Sequence, residues 1–384
     1  MGHVRALDGF RGLAVLLVMW SHFIAVSPAV DHSTVIGRLL KSGYYGVDMF
    51  FVLSGFLITG ILLDAKGGKG YFKVFIMRRV LRIFPLYYAV LALVYGGAWL
   101  FAHDTFHLYA SGPDSHLWFW LYASNWGMVA KGWGTPEGEW LITPDGTSLG
   151  HFWSLAVEEQ FYLFWPWIVA WLDRRKLAWL CGSFLVLAPV MASFLSDFAG
   201  NSLSGYVSTL GRLNTLGCGA LLAIAARSPE WWARLTRPSG WVFGVCGAIL
   251  LVVLGRDANF SVWKIDALSV LVPLCFGFGL VYALSPRGGA WSTFLSSGPM
   301  RFFGKYSYGL YVYHHLLRPI WSAWLWKAWI LPTLGSGAVG VAAYVLAAGA
   351  ASVALALASW TLLENPCLRL KRLFTYTGNR NHPA

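Results

Sequence analysis

The chain has 384 residues, of which 57% are hydrophobic and only 12% are charged, whereas a soluble domain carries about 25% charged residues. This composition excludes an ordinary water-soluble protein, because too little polar surface is available to face water. The formal net charge of +12 would indicate a nucleic-acid partner only if the basic residues gathered on one soluble surface. Here they lie in short segments between apolar runs, so we attribute the charge to membrane topology and expect no nucleic-acid binding.

Apolar runs long enough to cross a bilayer as a helix, about 20 residues, recur along the whole chain. They predict an all-α, polytopic membrane protein in which the lipid bilayer is the main solvent. The first run lacks a convincing cleavage site, so we interpret it as a retained helix rather than a signal peptide. About ten transmembrane helices are predicted, near residues 10–28, 45–63, 84–102, 152–172, 177–195, 207–226, 241–255, 265–284, 306–325 and 338–362.

The segment 117–130 is too short to span a bilayer. It lies in a predicted outer loop, 103–150, that is rich in Trp and Gly, and we expect a re-entrant or interfacial helix there. Tryptophans of this loop could stack on sugar rings, although anchoring at the water–lipid boundary is the simpler interpretation for most of them.

Lys and Arg residues in the loops set the predicted orientation, because they accumulate on the cytoplasmic side. With the N-terminus inside and ten spans, 21 of the 29 Lys and Arg residues fall on one side. Both termini are therefore predicted to be cytoplasmic, residues 364–384 form a cytoplasmic tail, and residues 1–384 form a single domain. The five cysteines show no CxxC or other metal-ligand spacing, so no metal site is predicted.

Two ionisable residues, Arg11 and His22, share one face of the first predicted helix. Eleven steps of about 100° return to nearly the same direction, and the rise places the two residues roughly 16 Å apart along the axis. Ionisable groups within spans are costly and usually mark function. We expect a cation near the cytoplasmic mouth of a cavity, a general base deeper inside, and Asp8 orienting Arg11 from one turn away. The alternative is a topology anchor and a hydrogen-bonded interior histidine.

Asp48 begins the second predicted helix at a depth similar to that of His22. It could hold the His22 imidazole in one tautomer, or it could be a helix N-terminal charge that complements the helix dipole. The sequence does not separate these two interpretations.

Arg78, Arg79 and Arg82 form a cluster in the cytoplasmic segment before the third predicted span. Arginines in such a cluster suit bidentate phosphate binding. On physical grounds alone, positive-inside anchoring with contact to anionic lipids is the simpler interpretation.

Further ionisable residues lie in later spans. Glu158 and Glu159 open the fourth span, and because adjacent helical residues point about 100° apart, they do not form an acid–base pair; one of them could face a cavity. His314 and His315 lie in the ninth span together with Arg318.

Six segments that occur in order between residues 7 and 366 resemble the acyltransferase 3 family of integral membrane proteins. They are LDGFRGLAVLLVMWSH, GYYGVDMFFVLSGFLITG, FKVFIMRRVLRIFPLYY, SLAVEEQFYLFWP, GKYSYGLYVYH and LLENP. The resemblance places the family's Arg-x10-His motif at Arg11 and His22, and its Arg-x-x-Arg motif at Arg79 and Arg82.

Other motif residues follow from the same resemblance. It places the Glu-x-Pro motif at Glu364 and Pro366, and it marks Ser154, Glu158, Tyr308 and His314 as motif positions. Relatives often carry a proline two residues after the histidine of SYGLYVYH, where this sequence has Leu316, so a shared helix break is less expected there. Some relatives carry a fused extracytoplasmic SGNH domain, which we do not expect in this chain.

The resemblance implies an O-acyltransferase of the bacterial inner (cytoplasmic) membrane. It would transfer an acyl group, most often acetyl in the family, from cytoplasmic acyl-CoA to a hydroxyl of a sugar in a cell-surface or exported glycan. Acyl-CoA would be a donor substrate and no cofactor would be bound permanently. The implied catalytic residues are His22, Arg11, Asp8 and Asp48, and the implied CoA-binding residues are Arg78, Arg79, Arg82 and Arg11.

Several alternatives stay open at the level of sequence. His22 could be transiently acylated instead of acting as a base. The chain could also be a transporter or flippase of a lipid-linked or acylated glycan, or it could relay acyl groups to a periplasmic partner. The acceptor and the oligomeric state are not predicted.

Overall fold

The computed structural model describes residues 4–24, 30, 34–101, 116–131, 149–256 and 262–376. In these residues the regular elements are helices and no β-strand occurs, so the all-α prediction is confirmed. The α-helices, numbered in chain order, are α1 Arg5–Ile24, α2 Val35–Lys41, α3 Gly46–Ala65, α4 Tyr71–Phe101, α5 His116–Trp120, α6 Ser124–Lys131, α7 Phe152–Trp171, α8 Arg174–Phe198, α9 Ser202–Val207, α10 Thr209–Ala225, α11 Pro229–Thr236, α12 Ser239–Arg256, α13 Val262–Leu284, α14 Gly289–Leu295, α15 Gly298–Lys305, α16 Ser307–Leu316, α17 Arg318–Ile320, α18 Leu331–Leu334, α19 Ala338–Ser359 and α20 Asn365–Arg369. Two π-helical stretches, Trp321–Ile330 and Trp360–Glu364, continue α17 and α19, and 3₁₀ turns cover Ser42–Tyr45 and Leu370–Leu373.

Helical segments occupy all ten predicted span positions. By length and composition, six helical runs in the described residues could cross a membrane: Arg5–Ile24, Val35–Ala65, Arg174–Phe198, Ser239–Arg256, Ala267–Leu284 and Ala338–Leu373. The polytopic helical membrane architecture is therefore confirmed.

The segment 117–130 contains two short helices, α5 and α6, which meet at a tight turn where Tyr122 has a φ of 51°. Neither helix is long enough to cross a bilayer. They pack against the bundle, because Tyr87 donates a hydrogen bond to the Phe119 carbonyl and Trp126 donates one to Gln160 of α7. Residues 102–115 and 132–148 of the predicted outer loop, and residues 377–384 of the predicted tail, lie outside the described residues.

Helix α4 begins earlier than the hydropathy pattern predicts. The cytoplasmic segment before residue 84 was expected to be a loop, but the helix runs from Tyr71 through Pro85 to Phe101 without interruption. Gly67 and Gly70, both with a φ of 79°, form the turn that precedes it, and no helix breaker follows until Pro85. The arginine cluster of this segment is therefore held on a rigid helix.

Glycines set the position of α1 in the bundle. A Cβ added at Gly9 or Gly12 would overlap the backbone of the facing helices at Leu295 and Met300, and one added at Gly304 would overlap the carbonyl of Asp8. Small residues allow membrane helices to approach closely. Helix α1 is thus pressed against α14 and α15, and its other faces contact α3 and α16.

A second close crossing joins α3 to α10. An added Cβ at Gly55 would overlap the Leu216 carbonyl, and one at Gly219 would overlap the Val52 carbonyl. Most residues of α1 and α3 are buried, whereas fewer than a third of the residues in the apolar windows of the runs that contain α8, α12 and α19 are buried. Trp241 on α12 is 82% exposed. Such exposed apolar faces suit helices that face lipid.

The α3–α10 crossing should be intolerant of a side chain at Gly219. Overpacking of a close contact costs about 1–3 kcal/mol, so Gly219→Ala should lower the thermal unfolding midpoint of the protein purified in detergent. Gly182→Ala on α8 is the matched control, because nothing lies within 4 Å of its added Cβ and alanine is the better helix former. Equal midpoints for both variants and the wild type would contradict the packing described.

Candidate functional site

A pocket with about 750 Å³ of atom-free space lies between α1, α3, α4, α7 and α16. Its polar lining consists of Arg11, Ser54, Arg79, Arg82, Ser154, Glu158, Tyr162, Ser307, Tyr308 and Tyr311. Many of these residues come from the sequence segments that carry the predicted site, so the fold brings distant motifs to one space.

Three guanidinium groups face this pocket from two helices. Arg11 comes from α1, and Arg79 and Arg82 lie one turn apart on α4. The Asp8 carboxylate lies 3.9 Å from the Arg11 guanidinium, in the position expected for an orienting partner. The Arg79 guanidinium lies over the rings of Phe75 and Tyr162, at 5.7 and 5.5 Å from their centroids.

Arg78 does not join this group, although the sequence grouped it with Arg79 and Arg82. Its guanidinium donates a hydrogen bond of 2.9 Å to the carbonyl of Phe374, after the last helix, and it does not line the pocket. The physical reason is helical geometry, since residue 78 points about 100° away from residue 79. Arg78 holds the C-terminal segment against α4.

Of the two adjacent carboxylates, Glu158 faces the pocket and Glu159 does not line it. The predicted divergence of the two side chains is confirmed. Ser54 donates a hydrogen bond of 2.6 Å to Glu158, and its hydroxyl lies 3.0 Å from the Tyr162 hydroxyl. One part-buried carboxyl group thus lies among three arginines, and in its ionised form it lowers the net positive charge of the pocket.

Ser154 and Tyr311 line the pocket and contact each other. Their hydroxyl oxygens are 2.5 Å apart, and Tyr311 also donates a hydrogen bond of 3.0 Å to the carbonyl of His151. The Tyr311 ring contacts the rings of His151 and His314, at centroid distances of 5.3 and 5.7 Å. Tyr311 therefore touches both the pocket and a group of histidines beyond it.

Four histidines, His22, His151, His314 and His315, form a cluster at this position, which we call the histidine cluster. The ring of His22 lies 5.1 Å from that of His314 and 4.7 Å from that of His315, and His151 lies 4.7 Å from His315. The closest polar contact joins His22 Nδ1 to His314 Nε2 at 2.9 Å. Imidazole is the side chain best suited to general base catalysis near neutral pH.

Asp48 does not orient His22, and that interpretation of the sequence is wrong. Its carboxylate accepts hydrogen bonds from Arg212 at 2.7 Å and from Tyr206 at 3.2 Å, whereas the polar partner of His22 is His314. Asp48 is 1% and Arg212 3% exposed, and a charge so deeply buried requires an opposite charge. Arg212 lies within α10, inside the span predicted at 207–226, and takes the carboxylate.

The remaining motif residues hold helices together near the pocket. Tyr308 lines the pocket and donates a hydrogen bond of 2.7 Å to the carbonyl of Ile83 on α4. Glu364 is buried and accepts a hydrogen bond of 3.1 Å from Ser359. It does not line the pocket, but its carboxylate would lie 3.2 Å from a Cβ at Gly309, so it packs the last helix against α16.

The ninth predicted span is broken directly after Leu316, where the resemblance made a helix break less expected. Helix α16 ends at Leu316, Leu317 has φ −95° and ψ 8°, and α17 begins at Arg318 with Pro319 in its first turn. Proline is well tolerated in the first turn of a helix. The break lies directly after His314 and His315 and thus at the histidine cluster.

Sequence reasoning missed His151, Arg212 and Tyr311. His151 lies one turn before Ser154, but it precedes the motif and no spacing pattern in the sequence distinguishes it. Tyr311 falls inside GKYSYGLYVYH together with three other tyrosines, so composition alone does not distinguish it.

Curated proteins similar to this chain are named as O-acetyltransferases. A "Putative O-acetyltransferase" of Staphylococcus aureus (strain COL) is 28% identical over 329 residues. A "Putative peptidoglycan O-acetyltransferase" of Bacillus subtilis is 27% identical over 334 residues. The "Peptidoglycan O-acetyltransferase OatA" of Listeria monocytogenes is 29% identical over 323 residues. Each match covers 82% of this chain and 48–50% of the relative, so the chain spans about half the length of these relatives.

No solved structure matches the chain. The family match is broader than any one relative, since residues 4–361 correspond to the acyltransferase 3 family, described as an acyltransferase domain. This range includes α1 with Arg11 and His22, the arginines of α4 and the histidines of α16. The chain therefore belongs to the acyltransferase 3 family of membrane proteins.

Proposed function

We propose that this chain is an O-acyltransferase of the bacterial inner membrane that transfers an acyl group, with acetyl as the first candidate, from cytoplasmic acyl-CoA to a sugar hydroxyl of a cell-surface or exported glycan. The observation that carries the proposal is the pocket lined by three arginines, whose residue Tyr311 also contacts His314 of the histidine cluster. The names of the relatives, which include peptidoglycan O-acetyltransferases, support acetyl as the acyl group and a glycan as the acceptor.

The donor enters from the cytoplasmic side in this proposal. Acyl-CoA is polyanionic, and Arg79 and Arg82 on α4 present two guanidinium groups suited to phosphate oxygens. Arg11 extends the cationic lining from α1. The pantetheine arm is on the order of 15–20 Å long, comparable with the rise of roughly 16 Å between Arg11 and His22 on α1, so phosphates held by the arginines leave the thioester near the histidine cluster.

Glu158 gives the pocket a second feature that suits this donor. A carboxylate in a phosphate pocket weakens anion binding unless it contacts another part of the ligand. The pantetheine arm carries two amide N–H groups, and a buried carboxylate is a strong acceptor for such donors. Glu158, held by Ser54, is proposed to accept from this arm beyond the arginines.

The acyl transfer proceeds in one displacement. The sugar hydroxyl reaches the histidine cluster from the outer side, His22 accepts its proton, and the alkoxide oxygen attacks the thioester carbonyl. The carbon–sulfur bond then breaks, the ester is released, and the CoA thiolate takes the proton from His22. A general base of this kind typically contributes a factor of about 10²–10⁴. Every proton in this sequence is accounted for by His22 and the two substrates.

Removal of the base should abolish most of the transfer. In purified protein in detergent, His22→Ala should lower the acceptor-dependent release of CoA thiol from acetyl-CoA by about 10²–10⁴-fold, with little change in acetyl-CoA affinity. Acceptor-dependent CoA release at the wild-type rate would contradict the role of His22. A wild-type protein that releases no CoA at all would support a transporter instead.

Adjacent arginines provide a matched test of donor binding. Hydrogen bonds to charged groups contribute about 1.5–3 kcal/mol, so Arg79→Ala and Arg82→Ala should each weaken acetyl-CoA binding by about 10–150-fold, measured by calorimetry or by KM. Arg78→Ala removes the same charge from the same turn of the helix, but the Arg78 side chain faces Phe374. This variant should therefore leave the acetyl-CoA affinity within about twofold of the wild type. If all three variants behave alike, lipid anchoring explains the cluster better.

A further inference from the structure

The two hydrogen bonds of His314 determine which nitrogen of His22 carries a proton. His314 Nδ1 lies 3.0 Å from the carbonyl oxygen of Leu310, and its Nε2 lies 2.9 Å from His22 Nδ1. A carbonyl oxygen only accepts hydrogen bonds, so Nδ1 of His314 must carry a proton to make this contact. In a neutral His314 the opposite nitrogen, Nε2, is then an acceptor.

The proton of His22 follows from this assignment. Because His314 Nε2 accepts, His22 Nδ1 must donate, and the lone pair of neutral His22 resides on Nε2. The reverse arrangement would place two acceptors opposite each other, either at the Leu310 carbonyl or between the two rings. Such an unmade hydrogen bond is costly in a buried site, and His314 is 0% exposed.

Ring geometry agrees with a hydrogen bond between the two imidazoles. Their planes differ by only 10° and their centroids are 5.1 Å apart, while the two nitrogens are 2.9 Å apart. These three values together place the rings edge to edge in nearly one plane, since rings stacked face to face would not combine so short a nitrogen distance with this centroid separation. The lone pair of the sp² nitrogen Nε2 of His314 lies in the plane of its ring. The Nδ1–H of His22 therefore points at this lone pair.

We propose that His314 is the positioning residue that holds His22 in the Nδ1–H tautomer, with Nε2 as the atom that accepts the hydroxyl proton. This inference rests on the proposed function, because it specifies the atom at which His22 acts. His314 takes the place that a carboxylate occupies in many histidine-dependent enzymes. Asp48, the carboxylate that the sequence offered as a partner for His22, instead accepts a hydrogen bond from Arg212.

A neutral partner suits this position in the bundle. A carboxylate beside His22 would itself need to be desolvated, which is costly without a full set of partners. An imidazole held by a backbone carbonyl carries no charge before the reaction. When His22 becomes an imidazolium during transfer, its Nδ1–H donates more strongly to His314, and the dipole of the Leu310 carbonyl stabilises the polarised His314 ring from behind.

The test compares kcat for acetyl transfer in His314→Leu, which cannot accept a hydrogen bond, and His314→Gln, whose amide oxygen can reach the position of Nε2. In serine proteases the loss of the correct tautomer costs up to about 10⁴-fold, so we expect a loss of about 10–10³-fold for the leucine variant. The glutamine variant should recover at least a tenth of the wild-type kcat, and KM for acetyl-CoA should stay within about twofold in both. If His314→Leu does not fold, His314→Phe replaces it as the variant without an acceptor.

A double variant separates positioning from a general structural role. If His314 acts only through His22, His22→Ala/His314→Leu should have the same residual activity as His22→Ala, whereas a structural role would lower it further. Wild-type kcat in His314→Leu, or a further loss in the double variant, would overturn the inference while leaving the proposed base intact. Full activity of His22→Ala would overturn both the inference and the role of His22 in the proposed function.

Discussion

Ionised side chains are costly inside a bilayer, and the described helices bring several of them between α1, α3, α4, α7 and α10. The bundle accommodates them in two different ways. Arg212 is neutralised by Asp48, with Tyr206 as a further hydrogen-bond donor to the same carboxylate. Arg11, Arg79 and Arg82 instead line a pocket beside a single carboxylate, Glu158. The paired charges hold α3 against α10, and the excess positive charge of the pocket is what makes it suitable for an anionic donor.

Close packing at glycines converts this arrangement of charges into a defined geometry. Helix α1 carries both Arg11 and His22, and it is fixed against its neighbours at Gly9 and Gly12. A rigid helix in this position sets the depth of the histidine relative to the arginine. Helix α16 contributes Tyr311 and His314 from the opposite side and then breaks at Leu317, so the pocket and the histidine cluster meet where two helices from distant parts of the sequence come together.

Hydropathy predicted where the helices lie but not where α1 and α4 begin. Both start before the apolar run, at Arg5 and Tyr71, because charged residues that face a pocket lower the hydropathy without ending the helix. The sequence predicted the depth of Asp48 in the membrane, but it did not predict which residue of α10 would face that carboxylate. The motif resemblance placed Arg11, His22, Arg79 and Arg82 in one site, whereas His151 and the contact between His22 and His314 depend on three-dimensional packing that no spacing rule encodes.

The central claim is that one continuous path leads from the arginine-lined pocket to His22. An experimental structure with a non-hydrolysable acetyl-CoA analogue, in which the thioester sulfur is replaced by a methylene group, tests it most directly. We expect phosphate oxygens within hydrogen-bond distance of Arg79 and Arg82, and the acetyl carbonyl next to Nε2 of His22. An analogue whose pantetheine arm lies outside the pocket, or whose acetyl group does not reach the histidine cluster, would show that no such path exists.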